Sequence, residues 1–164
     1  MLERSLEVLT FAAAVGCGLV AGVFFAFSSF VMPALGRIPA RSGMGAMQSI
    51  NVTVINPGFM LAFMGTGVLC LVLFAAAWLW WSDLSGKLVL AGSLVYLVAC
   101  IGVTMGLNVP LNDALAAAQL DTPEAASLWS RYLVEWTTWN HVRTVASAFA
   151  MMIFMLAMIW RASL

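Results

Sequence analysis

Four long stretches of this chain contain no charged side chain: between Glu7 and Arg37, between Arg41 and Asp83, between Lys87 and Asp113, and between Arg143 and Arg161. A bilayer core of about 30 Å is crossed by about 20 apolar helical residues. Inside hydrocarbon the backbone must satisfy its own polar groups, which a helix does within a single segment. The runs therefore predict membrane helices near 8–32, 56–81, 88–107 and 144–160. The rest of the composition agrees, with 63% hydrophobic and only 9% charged residues. Soluble domains carry about 25% charged residues, and mean hydropathy here is +1.02. The first run reads as a span rather than a cleaved leader, because it is too long for a leader's apolar core and Glu3 and Glu7 flank Arg4.

Four spans joined in up-down order predict an all-α fold, an integral membrane four-helix bundle forming one domain over 1–164, with both termini on one side. Small residues recur where helices approach: Ala14, Gly18, Gly22 and Ala26 in the first span, Gly58, Ala62 and Thr66 in the second, Gly102 and Gly106 in the third. Tight packing between the spans accounts for these, with Gly18/Gly22 and Gly102/Gly106 as alternative docking faces for a second chain. The connections are unequal: 81–87 is short, whereas 33–56 and 109–140 are long and polar. Thr122-Pro123-Glu124 reads as a helix start, with a capping hydroxyl, a proline at the first position and an acid at the positive dipole end. No Gly or Pro follows Pro123, so the long connection is partly helical and one helix runs on into the fourth span, overshooting the bilayer. A weak internal likeness pairs Met32-Pro33-Ala34-Leu35 with Val109-Pro110-Leu111-Asn112, and Asn56-Pro57 with Asn140-His141.

Threading the chain through four spans gathers its polar residues on one side. All five asparagines, Asn51, Asn56, Asn108, Asn112 and Asn140, fall on the side of the long connections, with His141, Arg143, Thr144, Thr53, Thr104 and the Ser28-Ser29 pair. Amides near the membrane are costly without partners. Read singly, each asparagine caps a helix end or satisfies a loop. As a set they outline a polar pocket over an apolar floor, which is the character of a ligand site. Trp136, Trp139, Asn140 and Arg143 share a broad helical face, and the tryptophans read equally as interfacial belt residues.

Several chemistries are disfavoured. Net charge is zero with no basic patch, so nucleic acid is not an expected partner. No acid or base sits within a predicted span, against a proton-coupled transporter. One histidine is too few for a copper or di-iron centre unless an oligomer interface shares ligands, and a single axial haem ligand stays open. Cys17, Cys70 and Cys100 have neither zinc nor disulfide spacing and read as small buried hydrophobes. What remains is binding, or acid–base chemistry, on a lipophilic molecule. His141 can act as a base near neutral pH, Arg143 and the amides can hold an oxyanion, and Trp136 and Trp139 can face a flat ring.

The segments Phe24-Phe25-Ala26-Phe27-Ser28, Val31-Met32-Pro33-Ala34-Leu35, Met47-Gln48-Ser49-Ile50-Asn51, Asn56-Pro57, Asn108-Val109-Pro110-Leu111-Asn112 and Trp136-Thr137-Thr138-Trp139-Asn140-His141-Val142-Arg143-Thr144 resemble the anthrone oxygenase-like family of small four-span membrane proteins. The resemblance implies oxidation of a flat lipophilic anthrone to an anthraquinone, with dioxygen as co-substrate and no metal or flavin. On that reading His141 is the base, oriented by Asn140, while Arg143, Asn108 and Asn112 hold the oxyanion. Trp136 and Trp139 stack on the rings, Asn51 and Asn56 close the far wall, and Ser28 joins the substrate-binding set. The alternatives are a protein that binds a quinone or lipid without turnover, a metal or haem oxygenase with ligands shared across a homo-oligomer interface, and a structural subunit of a larger complex. The cell membrane is the expected location. Orientation is not decided, because three basic residues near span ends (Arg4, Lys87, Arg161) face four on the other side (Arg37, Arg41, Arg131, Arg143).

Overall fold

The computed structural model describes residues 2–78 and 83–163. In chain order its helices are α1 (Arg4–Leu35), the shorter α2 (Ala40–Thr53), α3 (Pro57–Ala77), α4 (Leu84–Ala116) and α5 (Pro123–Ala162). No strand occurs among the described residues. All but α2 are long and apolar enough to cross a membrane, which marks a membrane protein. The far end of the predicted second span, including Trp81, lies outside the described residues.

Side-chain contacts give the directions of the four rods. Arg161 Nε donates to Glu7 Oε1 (3.2 Å) at one end of the α1–α5 pair, and Ser28 meets Thr144 toward the other. Phe24 packs edge-on to Phe63 while Gly16 faces Thr66, so α1 and α3 also run opposite ways. Gly92 meets Phe154, and Asn108 meets Trp136, across α4 and α5. The rods therefore alternate in direction. Their inward stripe includes Ala13, Cys17, Val20 and Phe24, and the outward stripe of α1 is just as apolar, with Val8, Phe11, Val15 and Leu19 exposed. A soluble helix would be polar on that outer face; here the outer face suits acyl chains.

Close approach rests on glycines other than the expected pairs. A Cβ on Gly16 would collide with the Thr66 hydroxyl, and one on Gly92 would lie 3.0 Å from the Phe154 ring. Gly22 and Gly106 have nothing within 4 Å, and the nearest neighbour of Gly102 is a carbonyl of its own helix. Of the two spaced glycine pairs, only Gly18 meets another rod, at the flexible Met151 thioether. Spacing along one helix does not say which face turns inward, and here most of those glycines turn outward.

The helices leave α geometry at defined places. π-helical turns occupy Phe27–Val31 in α1, Leu61–Gly65 in α3, and Val95–Gly102 and Thr104–Asn108 in α4. Two of them stand just before a proline, Pro33 and Pro110. Proline lacks an N–H and its ring presses on the carbonyl four residues back. A wider turn just before it eases that clash, so α1 and α4 continue through their prolines, and α4 reaches Ala116 instead of ending near 107. A π turn also loosens the helix's own ladder. Side chains from neighbouring rods bond to carbonyls beside these turns, Tyr96 Oη donating to Phe63 O (2.9 Å) and Asn140 Nδ2 to Phe24 O (2.7 Å).

α5 begins as anticipated. Thr122 Oγ1 accepts from Ala125 N (3.2 Å), Pro123 follows, and the helix is unbroken for 40 residues. At about 1.5 Å per residue it is roughly twice as long as the hydrocarbon is thick. Asn140 thus lies inside a helix rather than at its opening, and the counterpart of Asn56-Pro57 is Thr122-Pro123, each a cap followed by proline. The 33–56 connection, expected as a polar link, contains α2. Its buried Gly43, Met44 and Met47 dock on Met32, Leu115, Trp129 and Tyr132. Gln48 Nε2 donates to Leu115 O (2.8 Å) at the end of α4, and Arg41 pairs with Asp121 (3.1 Å). At the opposite end Asp83 caps α4 by accepting from Ser85, which holds its carboxyl below the usual carboxylate range.

Gly16→Val should destabilise the protein by at least about 1–3 kcal/mol, the usual cost of overpacking. Gly22→Ala should stay within about 0.5 kcal/mol of wild type. Thermal unfolding of both variants in detergent checks the pair.

Candidate functional site

Under α2, where π turns of α1 and α4 face α5 and that of α3 faces α1, the rods part around a cavity of about 280 Å³. Phe24, Phe27, Phe59, Phe63 and Trp136 wall it, with Met47 and Ile50 of α2 above. Phe59 and Phe63 are stacked, centroids 5.7 Å apart and planes 9° from parallel, while Phe27 leans on Trp136 at 5.7 Å. Trp136 ends a further stack, Trp129–Tyr132–Trp136, with successive centroids 5.7 and 5.9 Å apart. Such rings make a rigid slot suited to another flat ring. The polar lining is sparse: Asn51, Thr104, Asn112 and Arg143.

Arg143 dominates the electrostatics. It is 4% exposed, and no carboxylate pairs with it among the described residues. Its guanidinium carbon lies 4.2 Å from the Phe24 ring centre and 5.0 Å from that of Trp136. Nη2 donates to Asn140 Oδ1 (2.8 Å) and Nη1 to Thr104 Oγ1 (3.3 Å), while Nε has no partner. Amide, hydroxyl and aromatic faces offset part of the desolvation cost of a buried cation. They do not neutralise it. A positive charge at the wall of an apolar cavity favours a ligand carrying negative charge on oxygen.

Asn140 holds this cation in place. Fully buried, it donates to Phe24 O (2.7 Å) and Ser28 Oγ (2.8 Å) and accepts from Arg143. Ser28 reaches Thr144 (3.2 Å), which donates back to Asn140 O (2.8 Å). Asn108 is also fully buried and donates to Trp136 O (3.1 Å), leaving its Oδ1 and the Trp136 indole N–H without partners. Asn51 and Asn112 reach the cavity, and Asn112 Oδ1 accepts from the Tyr132 hydroxyl (2.8 Å).

Of the candidate residues, Asn51, Asn112, Trp136 and Arg143 line the cavity, Ser28, Asn108 and Asn140 bond to or through those lining residues from behind, and Asn56, Trp139 and His141 are not brought to it. Asn56 is exposed and caps α3, accepting from Phe59 N (3.0 Å). Trp139 is half-buried and absent from the lining. His141 is exposed and borders a shallow apolar groove with Val95, Ala99, Val145 and Phe149, on the outside of α4 and α5. Neighbouring positions on a helix differ by about 100°, so with Asn140 and Arg143 turned inward, His141 between them turns outward. Phe24, Phe27, Phe59 and Phe63 are cavity walls that the sequence does not single out. Their spacing of three and four residues was the available signal, but apolar spans repeat that spacing everywhere.

The described residues contain no group of three His, Cys, Asp or Glu side chains able to hold a metal ion. Cys17, Cys70 and Cys100 are buried and free. A second cavity of about 350 Å³ lies at the opposite end, next to the Glu7–Arg161 pair, where an acid already answers the base.

Fold and cavity together define a small helical membrane protein with an aromatic, singly cationic site between its rods. The family model described as Anthrone oxygenase matches residues 59–153, more than half of the chain, and the chain belongs to that family. The matched stretch carries Thr104, Asn108, Asn112, Trp136, Asn140 and Arg143; α1 and α2, which add Phe24, Ser28 and Asn51, precede it. Comparison with curated proteins and with solved structures gives no match.

Asn140→Leu should cost about 2–4 kcal/mol, because it removes hydrogen bonds to a backbone carbonyl and a hydroxyl and strips a partner from a buried cation. His141→Phe should change stability by less than about 0.5 kcal/mol. Unfolding in detergent separates the two.

Proposed function

We propose that this protein oxygenates a flat, lipophilic aromatic ketone of the anthrone type, using dioxygen as co-substrate without a bound metal or flavin. The observation that carries the reading is Arg143, a buried guanidinium with no carboxylate partner among the described residues, at the wall of an aromatic slot. Membership of the anthrone oxygenase family supports the reaction class.

The ring system slides between the phenylalanines and Trp136, with its keto oxygen toward Arg143. Loss of a proton from the methylene opposite the carbonyl places negative charge on that oxygen, where the guanidinium stabilises it. The lining holds neither carboxylate nor imidazole, so Arg143 makes the ketone more acidic and water at the cavity mouth takes the proton. The electron-rich carbon then bonds to dioxygen, and protonation gives a hydroperoxide. Loss of the remaining C–H proton with cleavage of the O–O bond releases water and leaves the second carbonyl. One dioxygen is consumed, with one oxygen atom in the quinone and one in water. Asn140 and Thr104 act as positioning residues through Arg143, and Ser28 acts through Asn140. Asn108 holds the Trp136 segment.

The apolar exterior lets the substrate arrive from the bilayer, and the cell membrane is the setting this reading takes. The absence of a base among the lining residues also favours a second reading, in which the cavity binds a quinone without turning it over.

Oxygen uptake by purified, chelator-treated protein given anthrone tests this against the spontaneous rate. Arg143→Leu should lose about 10²–10³ of the catalysed rate, the usual effect of removing an oxyanion donor. His141→Phe should stay within about twofold of wild type; its inactivity would return the base role to the imidazole. Wild-type uptake no faster than Arg143→Leu would leave the binding reading in its place.

A further inference from the structure

The cavity has a second polar end that the oxyanion chemistry does not use. Tyr132 and Arg143 lie on the same unbroken helix, eleven residues and about 16 Å apart along its axis. Trp136 stands between them with its ring in the wall. The Tyr132 hydroxyl donates to Asn112 of α4, and Asn51 of α2 lines the same cavity as Asn112. Tyr132 is fully buried, whereas both amides line the cavity.

We infer that Asn51, Asn112 and Tyr132 form a neutral recognition pole that binds a hydroxyl on an outer ring of the ligand, at the end away from the oxygen facing Arg143. The chemistry follows from which atoms are already occupied. The Tyr132 proton takes the Asn112 carbonyl oxygen (2.8 Å) and so orients that amide. The Asn112 N–H donors have no partner among the described residues, and Asn51 adds a second amide to the cavity lining. An amide facing an apolar slot is costly when unmet. A ligand with oxygen at this point is therefore favoured over one with hydrogen, and a site built to bond a hydroxyl discriminates against the analogue lacking it. Neutral amides suit a neutral phenol, whereas the developing anion belongs at the cationic end. The substrate class narrows to ring-hydroxylated aromatic ketones. Placing Asn51 on α2 makes that helix a determinant of specificity as well as a cover.

This inference rests on the proposed function, so its test needs two readouts on the full chain in detergent. The first is oxygen uptake with anthrone and with an anthrone bearing one hydroxyl on an outer ring, away from the keto carbon. The second is quenching of tryptophan fluorescence by the two corresponding anthraquinones, which needs no turnover. Wild type should prefer the hydroxylated member about tenfold in kcat/KM and in affinity. Asn112→Leu and Asn51→Leu should each cut that preference about threefold to tenfold, the effect of one neutral hydrogen bond, mainly through KM. Tyr132→Phe, which frees the Asn112 amide to turn, should raise KM for the hydroxylated substrate with little change in kcat. Asn51 is half-buried on a short helix, so its variant carries the test if Asn112→Leu fails to fold. Equal use of both ligands by wild type, or a preference unchanged in the folded asparagine variants, overturns the pole. If uptake stays at background but quinone affinity keeps a preference dependent on Asn51 and Asn112, the oxygenase reading falls and the pole stands. Uptake above background without preference gives the reverse.

Discussion

The constraint on which the rest of this protein turns is the burial of Arg143 within a membrane helix. A guanidinium removed from water needs donors matched to acceptors, and no carboxylate is supplied among the described residues. Its partners come from three rods: Asn140 on its own helix, Thr104 on α4 and the Phe24 ring on α1. Asn140 in turn is held by a carbonyl and a hydroxyl of α1. The cation thus ties three helices to one point. Truncating one partner leaves a buried charge less satisfied, which costs more than the lost contact itself.

The π turns make this arrangement sterically available. Straight, close-packed helices would fill the space with side chains. Widened turns in α1, α3 and α4, beside an α5 that stays regular throughout, offset the rods and release carbonyls that Asn140 and Tyr96 take up. Two of the turns also carry prolines through helix interiors. The turns at Phe27–Val31, Leu61–Gly65 and Thr104–Asn108 each give a side chain to the cavity wall. Departures from ideal helix in membranes are tolerated where protein, rather than lipid, surrounds them. The candidate site and the irregular turns share one location for that reason.

The covering helix α2 shows how an amphipathic segment completes a membrane cavity. It is too short and too polar to cross hydrocarbon, yet Met44 and Met47 need burial and find it against Met32, Leu115, Trp129 and Tyr132. Gln48 anchors it to the carbonyls ending α4. Its inner edge places Met47, Ile50 and Asn51 over the slot. The slot is thus apolar on its walls and cationic at one end, with amides at the other.

Much of this was determined by sequence alone. Charge-free runs demand membrane helices because an isolated charge in hydrocarbon is costly, and Thr122-Pro123-Glu124 announces α5 because cap, proline and acid each satisfy a helix start. The gathering of Asn51, Asn108, Asn112, Asn140 and Arg143 on one side follows from threading the chain back and forth. Rotation about each helix axis does not follow from it. In a soluble helix the polar stripe reveals the outer face, but here both faces of every span are apolar. Only packing decides that Asn140 and Arg143 turn inward with His141 outward, that Gly16 rather than Gly22 meets a neighbouring rod, and that Asn56 remains a cap. The tertiary structure settles these because the small differences between lipid and protein contact are resolved by fit, one side chain against another, and fit is a property of neighbours brought from distant parts of the chain.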